Sequence, residues 1–183
     1  EQHGRPTPVD GCELRRSHGG PNNNMGQYFL YANFDRREFF EIDALCGSTK
    51  ASGIGRGLAA RALGLLLTAS MDEALPDVGR WRGHRVAAVG DYFPAGLLPV
   101  DSPPGVAPYR YIREHFRDLR STVAVLLFER DGPGELLDLA ACDDDLYVLL
   151  AELALHHSIG HLATAMSAVF GPGWTKLYAE KRK

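Results

Sequence analysis

The stretch QYFLYANFDRREFFEI, residues 27–42, decides the fold. Gln27 to Phe34 is rich in aromatic residues with few breakers, which reads as a β-strand. Asp35-Arg36-Arg37 makes the turn and Glu38 to Ile42 the returning strand. No Asn-Gly or Asp-Gly pair marks the turn, so the hairpin rests on its flanking runs. Downstream, strand and helix patterns are interspersed. That favours an α+β fold: a small antiparallel or mixed sheet with an N-terminal hairpin and helices packed on one face.

Working outward, Gly47 to Gly57 is a loop dense in Gly and Ser. Leu58 to Ser70 predicts a helix, because Leu58, Ala62, Leu65, Leu66 and Ala69 recur at helical spacing. Met71 to Arg80 reads as a loop, and Arg85 to Val89 as a short strand stopped by Gly90. Residues 94–108 hold five prolines and two glycines, so they form a linker or subdomain boundary rather than a helix or central strand. Tyr109 to Leu119 predicts a short charged helix. Ser121 to Phe128, β-branched and leucine-rich, predicts a buried strand.

Asp131-Gly132-Pro133-Gly134 is a turn, and Glu135 to Ala141 a short helix. Asp143-Asp144-Asp145 supplies an N-cap and first-turn negative charge for the next helix. Leu146, Leu149, Leu150 and Leu153 share one side of it, whereas Leu155, Ile159, Leu162, Met166 and Val169 share nearly the opposite side. The helix is therefore buried all round or kinked near Ser158-Ile159-Gly160. Gly171-Pro172-Gly173 ends it, and residues 172–183 read as a basic, solvated tail.

The 183 residues suit one domain, and a hydrophobic content of 45% is enough for a sizeable core. A formal net charge of -3 gives no global drive towards nucleic acid or anionic membranes, so neither partner is expected, although a local basic patch is open. The apolar stretch from Leu146 to Phe170 is interrupted by Glu152, His156, His157 and His161, and reads as core helix rather than membrane span. Cys12, Cys46 and Cys142 are widely spaced, odd in number and lack a Cys-x-x-Cys pair, so they read as reduced thiols of a cytoplasmic protein. The excess of arginine over lysine suggests a GC-rich bacterial source.

Three blocks stand in order: Met25-Gly26-Gln27-Tyr28, then Asn33-Phe34-Asp35-Arg36-Arg37-Glu38, then Trp81-Arg82-Gly83-His84-Arg85-Val86 running into Gly90-Asp91-Tyr92. They resemble an uncharacterised family of small actinomycete and fungal proteins that begin Met-Gly-Gln-Tyr and carry a Trp-x-Gly-x-Arg run ending Gly-Asp-Tyr. The resemblance implies no particular activity. It does imply a start at Met25, so residues 1–24, polar and without periodicity, are expected to be a mobile arm or an upstream fragment. The domain then runs over 25–171.

The same blocks nominate a ligand site of Tyr28, Asn33, Asp35, Arg37, Trp81, Arg85, Asp91 and Tyr92, on the expectation that the hairpin turn and the Gly90–Tyr92 strand end converge. Asn and Asp at a turn equally serve local backbone, and Trp81 and Arg85 either stack or wall a core. The corresponding function is a ligand- or partner-binding domain, the partner being an unknown protein or small molecule.

Two alternatives carry chemistry. Lys50-x-x-Gly53-Ile54-Gly55, before a leucine-rich helix, resembles the acetyl-CoA pyrophosphate loop of the N-acetyltransferase superfamily. It would make the Gly53–Gly57 loop an acyl-CoA site in which backbone N–H groups hold phosphate. Gly55-x-Gly57-x-x-Ala60 also matches a dinucleotide fingerprint, but no strand runs directly into it. His157 and His161, four apart, could face one metal ion from a helix, with His115 or Glu152 as further donors. Neither a Gly-x-Ser-x-Gly elbow nor a recognisable Cys-His pair is present, so no catalytic residue is nominated and no cofactor named.

Overall fold

Residues 29–33 and 38–41 form the hairpin expected of them. In the computed structural model, which describes residues 28–42, 45, 54–69, 75–94, 96–99, 102–157 and 159–182, β1 (Phe29–Asn33) pairs antiparallel with β2 (Glu38–Glu41), Leu30 opposite Glu41 and Asn33 opposite Glu38. The Asn33 side chain replaces the missing Asn-Gly signal: its Oδ1 accepts from the amides of Asp35 at 3.1 Å and Arg36 at 3.0 Å. Arg37, at φ 55°, then turns the chain back in the left-handed region.

β3 (Val86–Gly90) pairs antiparallel with β1 on its other side, and β4 (Arg117–Asp118) runs parallel to β2. The mixed sheet has the order β3-β1-β2-β4. Seven helices among the described residues complete an α+β fold: α1 (Gly57–Leu67), α2 (Pro108–His115), α3 (Arg120–Asp131), α4 (Gly134–Ala140), α5 (Asp144–His156), α6 (Gly160–Phe170) and α7 (Trp174–Lys181).

Strand alternation gives the sheet two apolar faces. Tyr31 and Phe40 pack into the main core with α1 and α3 to α7, while Leu30, Ala32, Phe39 and Val89 pack against Ile112 of α2 and Phe116. Helices therefore cover both faces, not one. The proline-rich segment carries the chain to the second face, where Leu98 packs on the smaller cluster.

Three other expectations change. Ser121 to Phe128 lies in α3, not in a strand; Val123, Ala124, Leu126, Leu127 and Phe128 are buried on one side and Ser121, Thr122 and Val125 fall on the other, a helical spacing that the β-branched composition masks. The charged helix from Tyr109 stops at His115, and β4 follows it. The presumed tail is α7, whose Trp174 and Tyr178, four apart, are both buried. The long C-terminal helix is broken where its apolar face shifts: α5 closes on His157 and α6 opens at Gly160. Asp143 caps α5, accepting from the Leu146 amide at 2.9 Å.

Cys142 is disulfide-bonded, its partner sulfur lying outside the described residues, which corrects the expectation of three reduced thiols. Spacing along the chain does not report which sulfurs the fold brings together. Residues 1–24 also lie outside the described residues. No helix among the described residues is long and apolar enough to cross a membrane.

Candidate functional site

The hairpin turn builds one end of the sheet. Asn33 is buried, and its Nδ2 lies 3.0 Å from His84 Nδ1. Asp35 accepts from the Arg85 backbone amide at 2.7 Å and from its Nε at 2.8 Å, and these bonds hold the Asp35 carboxyl below its usual range. Arg37 donates to the Tyr111 hydroxyl at 3.2 Å and lies over the Phe116 ring. Arg85 thus pairs with Asp35 rather than stacking on Trp81. Trp81 is wholly buried, with its ring 5.7 Å from that of Phe40, so it walls the core and cannot line an open site.

At the centre of this end lies Glu38, only 3% exposed. Its Oε1 accepts from Arg80 Nη2 at 2.5 Å and its Oε2 from Trp81 Nε1 at 2.9 Å. Burial by itself would raise the carboxyl pKa. The hydrogen bonds from Arg80 and Trp81, and the charges of Arg80 and Arg36, outweigh it and hold the group at about 2. Arg80 in turn donates from Nη1 to Asp77 Oδ1 at 2.6 Å.

The remaining nominated residues lie elsewhere. Register places Asn33 opposite Val86 and Phe29 opposite Gly90, so the turn and the Gly90–Tyr92 strand end occupy opposite ends of the sheet. At about 3.4 Å per residue, the length of β1 separates them by roughly 14 Å. Asn33, Asp35, Arg37, Trp81 and Arg85 come together, while Tyr28, Asp91 and Tyr92 form a second group. Tyr28 and Tyr92 are exposed, and the Asp91 amide donates to the Tyr28 carbonyl. Asp91 Oδ1 is buried without a hydrogen-bond partner among the described residues. The expected convergence fails because antiparallel pairing sends the two segments to opposite ends.

The geometry needed by the two chemical alternatives is not found among the described residues. Acyl-CoA binding needs free amides on the Gly53–Gly57 loop and a split between parallel strands. Gly53 lies outside the described residues, the Gly55 amide donates to the Tyr31 hydroxyl at 3.0 Å, and β1 is antiparallel to both its neighbours. The proposed histidine pair sits across a helix break: His157 ends α5, whereas His161, in α6, bonds Glu129 through Nε2 at 2.6 Å and stacks on Phe128. No group of three or more His, Cys, Asp and Glu side chains placed to hold a metal ion occurs among the described residues.

A groove of about 570 Å³ adjoins the Glu38 network. The Asp77 turn forms one wall, where Arg80 fixes the Asp77 carboxylate. The second is a face of α3, where Ser121, Thr122, Val125 and Glu129 follow helical spacing. Leu153 and His157 at the end of α5, with Ile159, make the third, and Leu75 and Leu126 extend the apolar lining. Arg117 of β4 also lines the groove.

Of these residues the sequence marks only His157 as a candidate functional group. The others come from loop, strand and helix segments whose meeting depends on the order β3-β1-β2-β4, which local periodicity does not carry. Among the described residues no hydrogen bond joins Ser121, Thr122 or His157 into a nucleophile–base pair. No family model, curated protein or solved structure matches the chain.

Proposed function

We propose that the protein is a small-molecule-binding domain and that its site is the groove between the Asp77 turn, α3 and the end of α5. The observation that carries this is the groove itself. Its volume of about 570 Å³ lies within the roughly 300–1,000 Å³ typical of ligand sites, and its lining combines apolar and polar side chains in equal number. In this reading Trp81 and Glu38 act indirectly: Trp81 holds Glu38, Glu38 holds Arg80, and Arg80 holds Asp77 and so fixes one wall. No feature of the described residues favours acyl transfer or metal binding over ligand binding. A disulfide at Cys142 fits an oxidising compartment better than the cytoplasm, so the proposal carries no cytoplasmic requirement.

N-phenyl-1-naphthylamine, an uncharged dye that brightens in apolar surroundings, tests the groove. Saturable binding at one dye per chain is expected. Val125→Trp, which adds bulk on the α3 wall, should weaken it at least tenfold while leaving the far-ultraviolet circular dichroism intact. No saturable binding, or equal binding by the variant, would remove the groove as the site.

A further inference from the structure

The charges lining the groove name a class of ligand. Two are negative, and both are already engaged within the protein: Asp77 by Arg80 at 2.6 Å, and Glu129 by His161 at 2.6 Å. The positive one is Arg117. Its backbone amide is fixed by the Arg37 carbonyl at 2.8 Å, while its guanidinium makes no hydrogen bond or ion pair among the described residues. Ser121 and Thr122 add hydroxyl donors to the same lining. Val125, Leu126, Leu153 and Ile159 supply an apolar surface within the same space.

Resting on the groove reading, we infer that the ligand is an organic monoanion with an apolar body, its acidic head on Arg117 and its body against α3 and the end of α5. One free guanidinium matches one negative charge. Its planar fork suits a carboxylate, which it can engage through two parallel hydrogen bonds. A phosphate dianion would leave one charge unmatched. An organic cation would meet the free arginine as a like charge, with Asp77 ion-paired to Arg80 and Glu129 hydrogen-bonded to His161.

Displacement of N-phenyl-1-naphthylamine from the full chain by decanoate and by 1-decanol separates this inference from the reading beneath it. The two probes share an apolar chain and differ in the head. Arg117→Gln should raise the half-displacing concentration of decanoate about tenfold and leave that of decanol unchanged. Decyl phosphate provides the comparison of heads: its half-displacing concentration should rise less than that of decanoate. If Arg117→Gln shifts decanoate and decanol alike, or shifts neither, the monoanion assignment is overturned while the groove stands. The same outcome follows if decyl phosphate shows the larger change. If the dye does not bind the wild-type chain, or Val125→Trp does not weaken it, the groove reading falls first.

Discussion

Glu38 shows how one side chain couples the sheet to the groove. Its carboxylate is buried, yet it stays ionised because Arg80 and Trp81 donate to it. The depressed pKa makes a stability statement. A carboxyl that titrates at 4.5 when unfolded and at about 2 when folded stabilises the native state fully above about pH 5, and that contribution is lost as pH falls through 2. The gap corresponds to about 3 kcal/mol. Glu38→Gln should therefore cost about 3 kcal/mol at pH 7, since it leaves Arg80 short of its charge partner. The difference in urea midpoint between wild type and variant should shrink by roughly half between pH 5 and pH 3, and close fully only below pH 2. A difference that stays constant over that interval would show that packing, not charge, is what the substitution removes. Asp35 and Arg85 form the contrasting case: their pair is solvent-exposed and screened, so Arg85→Ala should leave the midpoint nearly unchanged.

At the scale of elements, much of the fold is legible in local composition and spacing. Aromatic runs mark the hairpin, helical spacing marks α1, a short apolar run stopped by Gly90 marks β3, and Asp143 marks the start of α5. The break between α5 and α6 is one of the two readings that the changing side of the apolar stripe leaves open. What stayed hidden follows from burial and from long-range pairing. In α3 a broad buried side leaves only Ser121, Thr122 and Val125 to mark the helical spacing among β-branched and leucine residues, and the two residues of β4 become a strand only by pairing with β2. α7 is obscured because Lys176, Lys181 and the Arg182 that follows it give the segment a basic composition that masks the pair Trp174 and Tyr178. These two are tied in: the Trp174 carbonyl accepts from Tyr147 Oη at 2.7 Å, and its Nε1 donates to Ser167 Oγ at 3.0 Å. Truncation after Gly173 should therefore cost several kcal/mol, since losing one buried tryptophan side chain alone costs about 3–5 kcal/mol. A truncated chain with an unchanged urea midpoint would restore the picture of a solvated tail.

For the whole molecule, the question is whether two apolar clusters on opposite faces of one sheet make one cooperative unit. They share strands rather than a boundary: along β1, Tyr31 enters the main core while Leu30 and Ala32 enter the smaller cluster. Neither face can lose its packing without disturbing the backbone that presents the other. The nominated binding residues failed to converge for the same topological reason, because a sheet that joins two faces also separates its two ends. Ile112 is the residue to perturb. It is fully buried on the second face, and its loss to alanine should cost about 2–5 kcal/mol. Trp81 and Trp174 both lie in the main cluster, so tryptophan fluorescence reports only the opposite side of the sheet. In Ile112→Ala, the urea midpoint seen by fluorescence should fall by the full amount and coincide with that seen by far-ultraviolet circular dichroism, as one two-state transition requires. A fluorescence midpoint that stays at the wild-type value while the dichroism shifts would mean that the second face unfolds separately, and that the sheet does not bind the clusters into one unit.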